Sequence, residues 1–98
     1  MTNKEDMEFI LLKVLSIIQD SSIDLYERHL MIKLLEKLIQ KDAQVISSYA
    51  DKIFGLVSWM ISSDNFLFRI ESKEIVSTLA KSIGLSKVIL VLRMNLDS

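Results

Sequence analysis

The chain has 98 residues, half of them hydrophobic and 26% charged, with a formal net charge of −1. That length makes one domain at most, the composition excludes intrinsic disorder, and the near-neutral charge argues against affinity built mainly on phosphate neutralisation. Cysteine and proline are absent and Gly55 and Gly84 are the only glycines, which excludes disulfides, thiolate metal sites and cysteine nucleophiles and favours an all-α chain with short polar connections.

Apolar residues recur at intervals of three and four almost throughout, the helical spacing. Thr2 and Glu5 form a capping box, and "MEFILLKVLSII" carries a first helix to about Ile18. "QDSSID" breaks it. Asp24 and Glu27 form a second box and open a helix that runs to about Lys41. Asp42 caps a third, expected to continue unbroken through "VISSYADKIFGLVSWMI" to about Ile61. After "SSDN", Asp64 or Asn65 caps a fourth from Phe66 to Ser82. Gly84 stands where a helix C-terminal glycine belongs, and Ser86 to about Arg93 make a short fifth helix. No apolar run is long enough to span a bilayer. The polar N-terminus "MTNKEDME" reads as neither signal nor transit peptide, and the lack of cysteine fits an intracellular setting.

On a wheel of 100° per residue, Leu30, Met31, Leu34, Leu35, Leu38 and Ile39 form one apolar arc of the second helix. His29, Lys33, Glu36, Lys37 and Gln40 lie opposite. A shift of about forty-one residues superposes the second helix on the fourth: Asp24 on Asn65, Arg28 on Arg69, Leu34 on Ile75, Leu35 on Val76, Leu38 on Leu79. The first and third helices align at nearly the same offset, Leu11 with Ile53, Leu12 with Phe54, Leu15 with Val57 and Ile18 with Met60. A period near forty with two helices per unit is that of HEAT and armadillo repeats. The fold expected is therefore all-α, an α-α superhelix of about two and a half HEAT-type repeats. Repeat one spans about 4–41, repeat two about 42–83, and a partial third 85–98. Asp24, Arg28, Asn65 and Arg69 are assigned to inter-repeat structure, each arginine reaching carbonyls and carboxylates of the inter-helix turns.

"ERHLMIKLLEKL" (27–38), "YADKI" (49–53) and "RIESKEIVSTLAKSIGLSKVILVLRMNLD" (69–97) resemble consecutive segments of the large HEAT-repeat subunit of splicing factor 3b, part of the U2 snRNP. The resemblance covers about residues 24–97. Its most specific parts are Glu27-Arg28-His29-Leu30, Glu74-Ile75, Leu79-Ala80 and Gly84-Leu85. It departs from that family at "VISSY", where the family usually has a proline opening the third helix, and at Met94, where a proline usually follows the arginine. Family members carry about twenty repeats, so the resemblance implies either an excised portion or a shortened homologue, aligned with the first repeats. It further implies a nuclear, non-enzymatic scaffold whose superhelix clasps the duplex of U2 RNA and the intron branch site. Its partners would be other splicing factor 3b and U2 snRNP proteins. The family's branch-point adenosine pocket lies in later repeats, beside a small zinc-containing partner, and no position here corresponds to it.

His29 is the one candidate general base, but it lies on the polar arc with no nucleophile or second base to complete a site. One histidine without cysteine supplies too few zinc ligands, and two distant glycines make no phosphate loop. No catalytic residue, metal or cofactor is expected. Lys73, Lys81, Lys87 and Arg93 are the candidate contacts to RNA phosphates or an acidic partner, weighed against a plain solvated face. Trp59 follows the buried spacing. Phe66 and Phe68 do not both fit inward, which makes one of them an interface anchor. "FILLKVLSII" and "KVILVLRM" are too apolar to face water fully, so a short stack without polar capping repeats should either self-associate or be marginally stable. The competing functional reading is a small free-standing adaptor that dimerises or grips a partner helix. A hydrolase built on His29 would lose its activity in His29→Ala, and none is expected.

Overall fold

The computed structural model describes residues 4–97, the side chains of 91, 92 and 94–97 excepted. Thr2, half of the first predicted capping box, lies outside that range, as do the side chains of Val91, Leu92 and Met94 in the apolar C-terminal run. The described residues form six α-helices: α1 (Lys4–Gln19), α2 (Leu25–Lys41), α3 (Ala43–Ser48), α4 (Ala50–Ile61), α5 (Phe66–Ile83) and α6 (Leu85–Asp97). The all-α architecture is the one the spacing predicts.

Short polar side chains start α2, α3 and α5. Asp24 accepts the amide of Tyr26, Asp42 those of Gln44 and Val45, and Asn65 those of Leu67 and Phe68; each satisfies donors that have no partner within the helix. The third predicted helix is divided in two. Tyr49, at φ −109° and ψ 15°, leaves the helical region between α3 and α4 while its amide still donates to the Val45 and Ile46 carbonyls. Val45, Ile46, Ser47 and Ser48 are weak helix formers, and the Ser48 hydroxyl donates to the Gln44 carbonyl at 3.2 Å, a side-chain bond that bends helices. The Tyr49 hydroxyl, 3.2 Å from Glu8 Oε2, ties the bend to α1. Burial and the neighbouring Glu8 charge raise the Tyr49 pKa.

The layers follow from which helices meet: α1 packs on α2, α4 on α5, and α2 on α5 across the middle, while α6 lies against α5 and α4. The bonds from His29 to Glu71, Lys33 to Glu74 and Ser82 to Ile39 show that α2 and α5 run parallel. The thickness of 21 Å in a 37 × 31 × 21 Å envelope is that of two helix layers of about 10 Å each. Leu11, Ile18, Ile32, Leu35, Ile39, Ile46, Ile53, Phe54, Ile75 and Leu79 are at most 1% exposed. They form one core from α1 through α5, with Val88 of α6 joining it.

The repeat offset recurs in the bonding. Every side-chain hydrogen bond between described residues more than ten positions apart spans 40 to 43 residues: Lys87–Ser47, Tyr49–Glu8, Lys33–Glu74, His29–Glu71 and Ser82 to the Ile39 carbonyl. One helix pair is thus bonded to the next in register.

Gly84 closes α5 and opens α6 at once: its amide donates to the Ala80 carbonyl and its carbonyl accepts from Val88. It does so at φ +95°, a conformation that strains a side-chain-bearing residue. Gly55 lies in a helix, exposed, with open space around an added Cβ. Gly84→Ala is expected to destabilise by about 1–2 kcal/mol, and Gly55→Ala to stabilise by about 0.5–1 kcal/mol. Thermal melts that move in the same direction for both variants would contradict this assignment of backbone roles.

Candidate functional site: the joint between helix pairs and the open faces

The two matched arginines occupy the first turns of α2 and α5, but their surroundings differ. Arg28 is buried; its Nε donates to the Ile18 carbonyl at 2.9 Å, an acceptor near the end of α1. Its guanidinium lies 5.7 Å from the Trp59 ring centre and 5.1 Å from that of Phe68, within cation–π range. The two rings are themselves 5.4 Å apart. Arg28 therefore closes the turn of its own pair and is roofed by aromatic residues of α4 and α5. Arg69 repeats the first half of this device, its Nη1 donating to the Ser63 carbonyl at 2.8 Å. It is exposed, and the ring beside it is Phe66 of its own helix, at 5.7 Å. Neither arginine meets a carboxylate in an ion pair among the described residues. Asp20, in the α1–α2 turn, is held below the usual carboxylate range chiefly by the Ser22 hydroxyl and amide, with Arg28 adding a little. Asp24 and Asn65 act within their own helices, as N-caps.

The polar part of the joint lies one residue further on. His29, expected on the solvated arc with nothing to bind, has Nδ1 2.5 Å from Glu71 Oε1, and the Glu71 side chain is only 5% exposed. With the carboxylate ionised, Nδ1 carries the shared proton and donates. The other oxygen, Oε2, is buried without a hydrogen bond; Lys33 Nζ stands 3.8 Å away. Lys33 also reaches Glu74 at 3.2 Å and Glu36 at 3.7 Å. Burial works to lower the Lys33 pKa, but the bond to Glu74 and the carboxylates of Glu36, Glu71 and Glu74 outweigh it and the net shift is upward. Burial is also the main cause of the raised Glu36 pKa, against the pull of Lys33. Glu71 carried only a weak signal in the sequence: it falls about 40° beyond Ile75 on the wheel, at the edge of the apolar arc, where an acid that becomes buried needs a partner.

The buried arc of α2 is also rotated from its predicted position. Arg28, Ile32, Leu35, Leu38 and Ile39 are buried, whereas Leu30 is 43% exposed. A helix in contact with both α1 and α5 has its inner face set by two neighbours, and a single apolar arc averages them. Of the aromatic pair, Phe68 faces inward at 2% exposure and Phe66 outward at 64%. Trp59 is half-buried against the core.

Lys73, Lys81, Lys87 and Arg93 are all exposed. Lys73 borders a cleft of about 310 Å³ with Ile61, Phe66, Arg69 and Ile70. Lys81 borders another, of about 410 Å³, with Gln40, Ala43, Thr78 and Ser82. The Lys87 ammonium is bonded to the Ser47 hydroxyl. Among the described residues, no three histidine or acidic side chains are grouped to hold a metal, and no helix is long and apolar enough to cross a membrane.

No family model and no solved structure matches the chain. Among curated proteins, the U2 snRNP component prp10 of Schizosaccharomyces pombe is 26% identical over 85 residues, which covers 87% of this chain and 7% of that protein. The U2 snRNP component HSH155 of Saccharomyces cerevisiae is 26% identical over 91 residues, covering 93% of this chain and 9% of that protein. The chain thus spans less than a tenth of either relative's length. These matches to U2 snRNP components agree with the resemblance of the segments quoted above to the large HEAT-repeat subunit of splicing factor 3b.

Proposed function

We propose that the chain is a non-enzymatic helical-repeat scaffold that works in the nucleus with splicing factor 3b and other U2 snRNP proteins, in support of branch-site recognition. The observation that carries this reading is that both relatives are U2 snRNP components and align with about nine-tenths of this chain. The 40-to-43-residue spacing of the inter-helix bonds supports a division into repeat one (about 4–41), repeat two (about 42–83) and a partial third from 85. In this reading Arg28 is a joint residue, while Arg69, Phe66 and Lys73 offer the open equivalent of that joint to a protein partner. Lys81, Lys87 and Arg93 are the exposed cations this reading offers to RNA phosphates, and their small number keeps their contribution modest.

Affinity purification of the tagged chain from its own organism's nuclear extract tests the reading. Splicing factor 3b proteins should co-purify together with U2 RNA, and the protein partners should survive ribonuclease treatment. Recovery of neither would overturn it in favour of a free-standing helical adaptor, a reading favoured by exposed Leu30, Phe66 and Leu85.

A further inference from the structure

The flank of α2 that faces away from α5 carries Glu27, Leu30, Leu34, Lys37 and Lys41, spaced three, four, three and four residues apart. That spacing places them on one stripe, the seam geometry of paired helices. His29, Lys33 and Glu36, which meet or approach α5, lie on the other flank. The stripe is accessible: Glu27, Leu30, Lys37 and Lys41 are exposed and Leu34 is half-buried. Glu27 and Lys37 make no ion pair with other described residues. A cleft of about 240 Å³ beside Leu38 and Lys41, lined also by Met7 and Ile10 of α1, extends the apolar surface sideways.

The charge order along this stripe decides what fits it. Acid stands at the N-terminal end, two leucines in the middle, and bases at the C-terminal end. The complementary occupant is a helix with the opposite order, and α2 itself, run antiparallel, has that order. We infer that the stripe is a self-complementary seam through which two copies of this chain pair about a two-fold axis. Leu30 packs against the partner's Leu34 and Leu34 against the partner's Leu30. Glu27 meets the partner's Lys37 at one rim, and the symmetric pair closes the other. The antiparallel helix dipoles add to the fit. Apolar centre and charged rim are the ordinary anatomy of such an interface. The seam lies on the first helix pair, away from the Arg69 face assigned above to splicing partners, so the inference goes beyond that function and does not depend on it.

Sedimentation equilibrium of the 98-residue chain provides the test, with circular dichroism reporting that each variant stays helical; the substituted positions are exposed. The wild-type chain should dimerise. Glu27→Lys or Lys37→Glu alone should weaken the dimer about tenfold or more, because the axis applies each like-charge contact twice. Leu30→Arg should abolish it. The double variant Glu27→Lys/Lys37→Glu should restore it, since only the sense of each rim pair is exchanged. A wild-type chain still monomeric at about 0.3 mM would overturn the proposal and leave the stripe to another occupant. A dimer indifferent to the single swaps would overturn it by assigning association to another face, and so would a double swap that fails to restore pairing.

Discussion

Arg28→Ala is expected to lower the unfolding free energy by about 2–4 kcal/mol, and Arg69→Ala by no more than about 0.5–1 kcal/mol. The two arginines align in sequence, and each donates to a carbonyl at or just past the end of the preceding helix. Only Arg28 is buried, however, and only Arg28 is covered by the rings of Trp59 and Phe68 from the following pair. Its removal leaves the Ile18 carbonyl without that donor and opens a void under two aromatic side chains. Arg69 has water on that side. Arg28→Lys should recover only part of the loss, because an ammonium lacks the planar surface that lies against both rings. Urea titrations of the three variants check this. Equal losses for Arg28→Ala and Arg69→Ala would mean that coverage by the neighbouring pair adds nothing.

The second large effect concerns His29 and Glu71. His29→Ala leaves a buried carboxylate with one oxygen lacking any hydrogen bond and the other stripped of its donor. A loss of about 2–3 kcal/mol is expected, below the range for fully buried pairs because His29 is partly exposed and Lys33 remains nearby. Removing both polar side chains together is different. His29→Leu/Glu71→Leu replaces the pair by apolar contact and should fall within about 1 kcal/mol of the wild type. A double-mutant cycle with His29→Ala and Glu71→Ala should therefore be far from additive. Additivity within about 0.5 kcal/mol would show that the two side chains do not act as a unit.

The helices, their Asp and Asn caps and the repeat offset could be read from the chain because each depends on residues close together or on a spacing that recurs. The features that could not be read depend on two helices at once. His29 occupies a polar arc when α2 is considered alone; its role emerges only when α5 brings Glu71 to it. Leu30 belongs to the apolar arc by composition, yet it faces out because α1 and α5 together fix which side of α2 is inward. The bend at Tyr49 has no glycine or proline to announce it. Several modest influences combine there: weak helix formers, the Ser48 side-chain bond and the anchor to Glu8.

The joint also explains why so small an array folds as one body. Between α2 and α5 the chain places Ile32, Ile39, Ile75 and Leu79, all wholly buried, and flanks them with the His29–Glu71 pair and the Ser82 bond to the Ile39 carbonyl. An array whose units touch only their neighbours depends on such interfaces for its cooperativity.

Native-state hydrogen exchange at increasing urea is the most direct test of this joint as the element that unites the helix pairs. The slowest amides of α1, α2, α4 and α5 should converge on a single opening free energy, and His29→Ala should lower that value for all four helices together. Two separate opening free energies, one for α1–α2 and one for α4–α5, with His29→Ala affecting only its own pair, would contradict it.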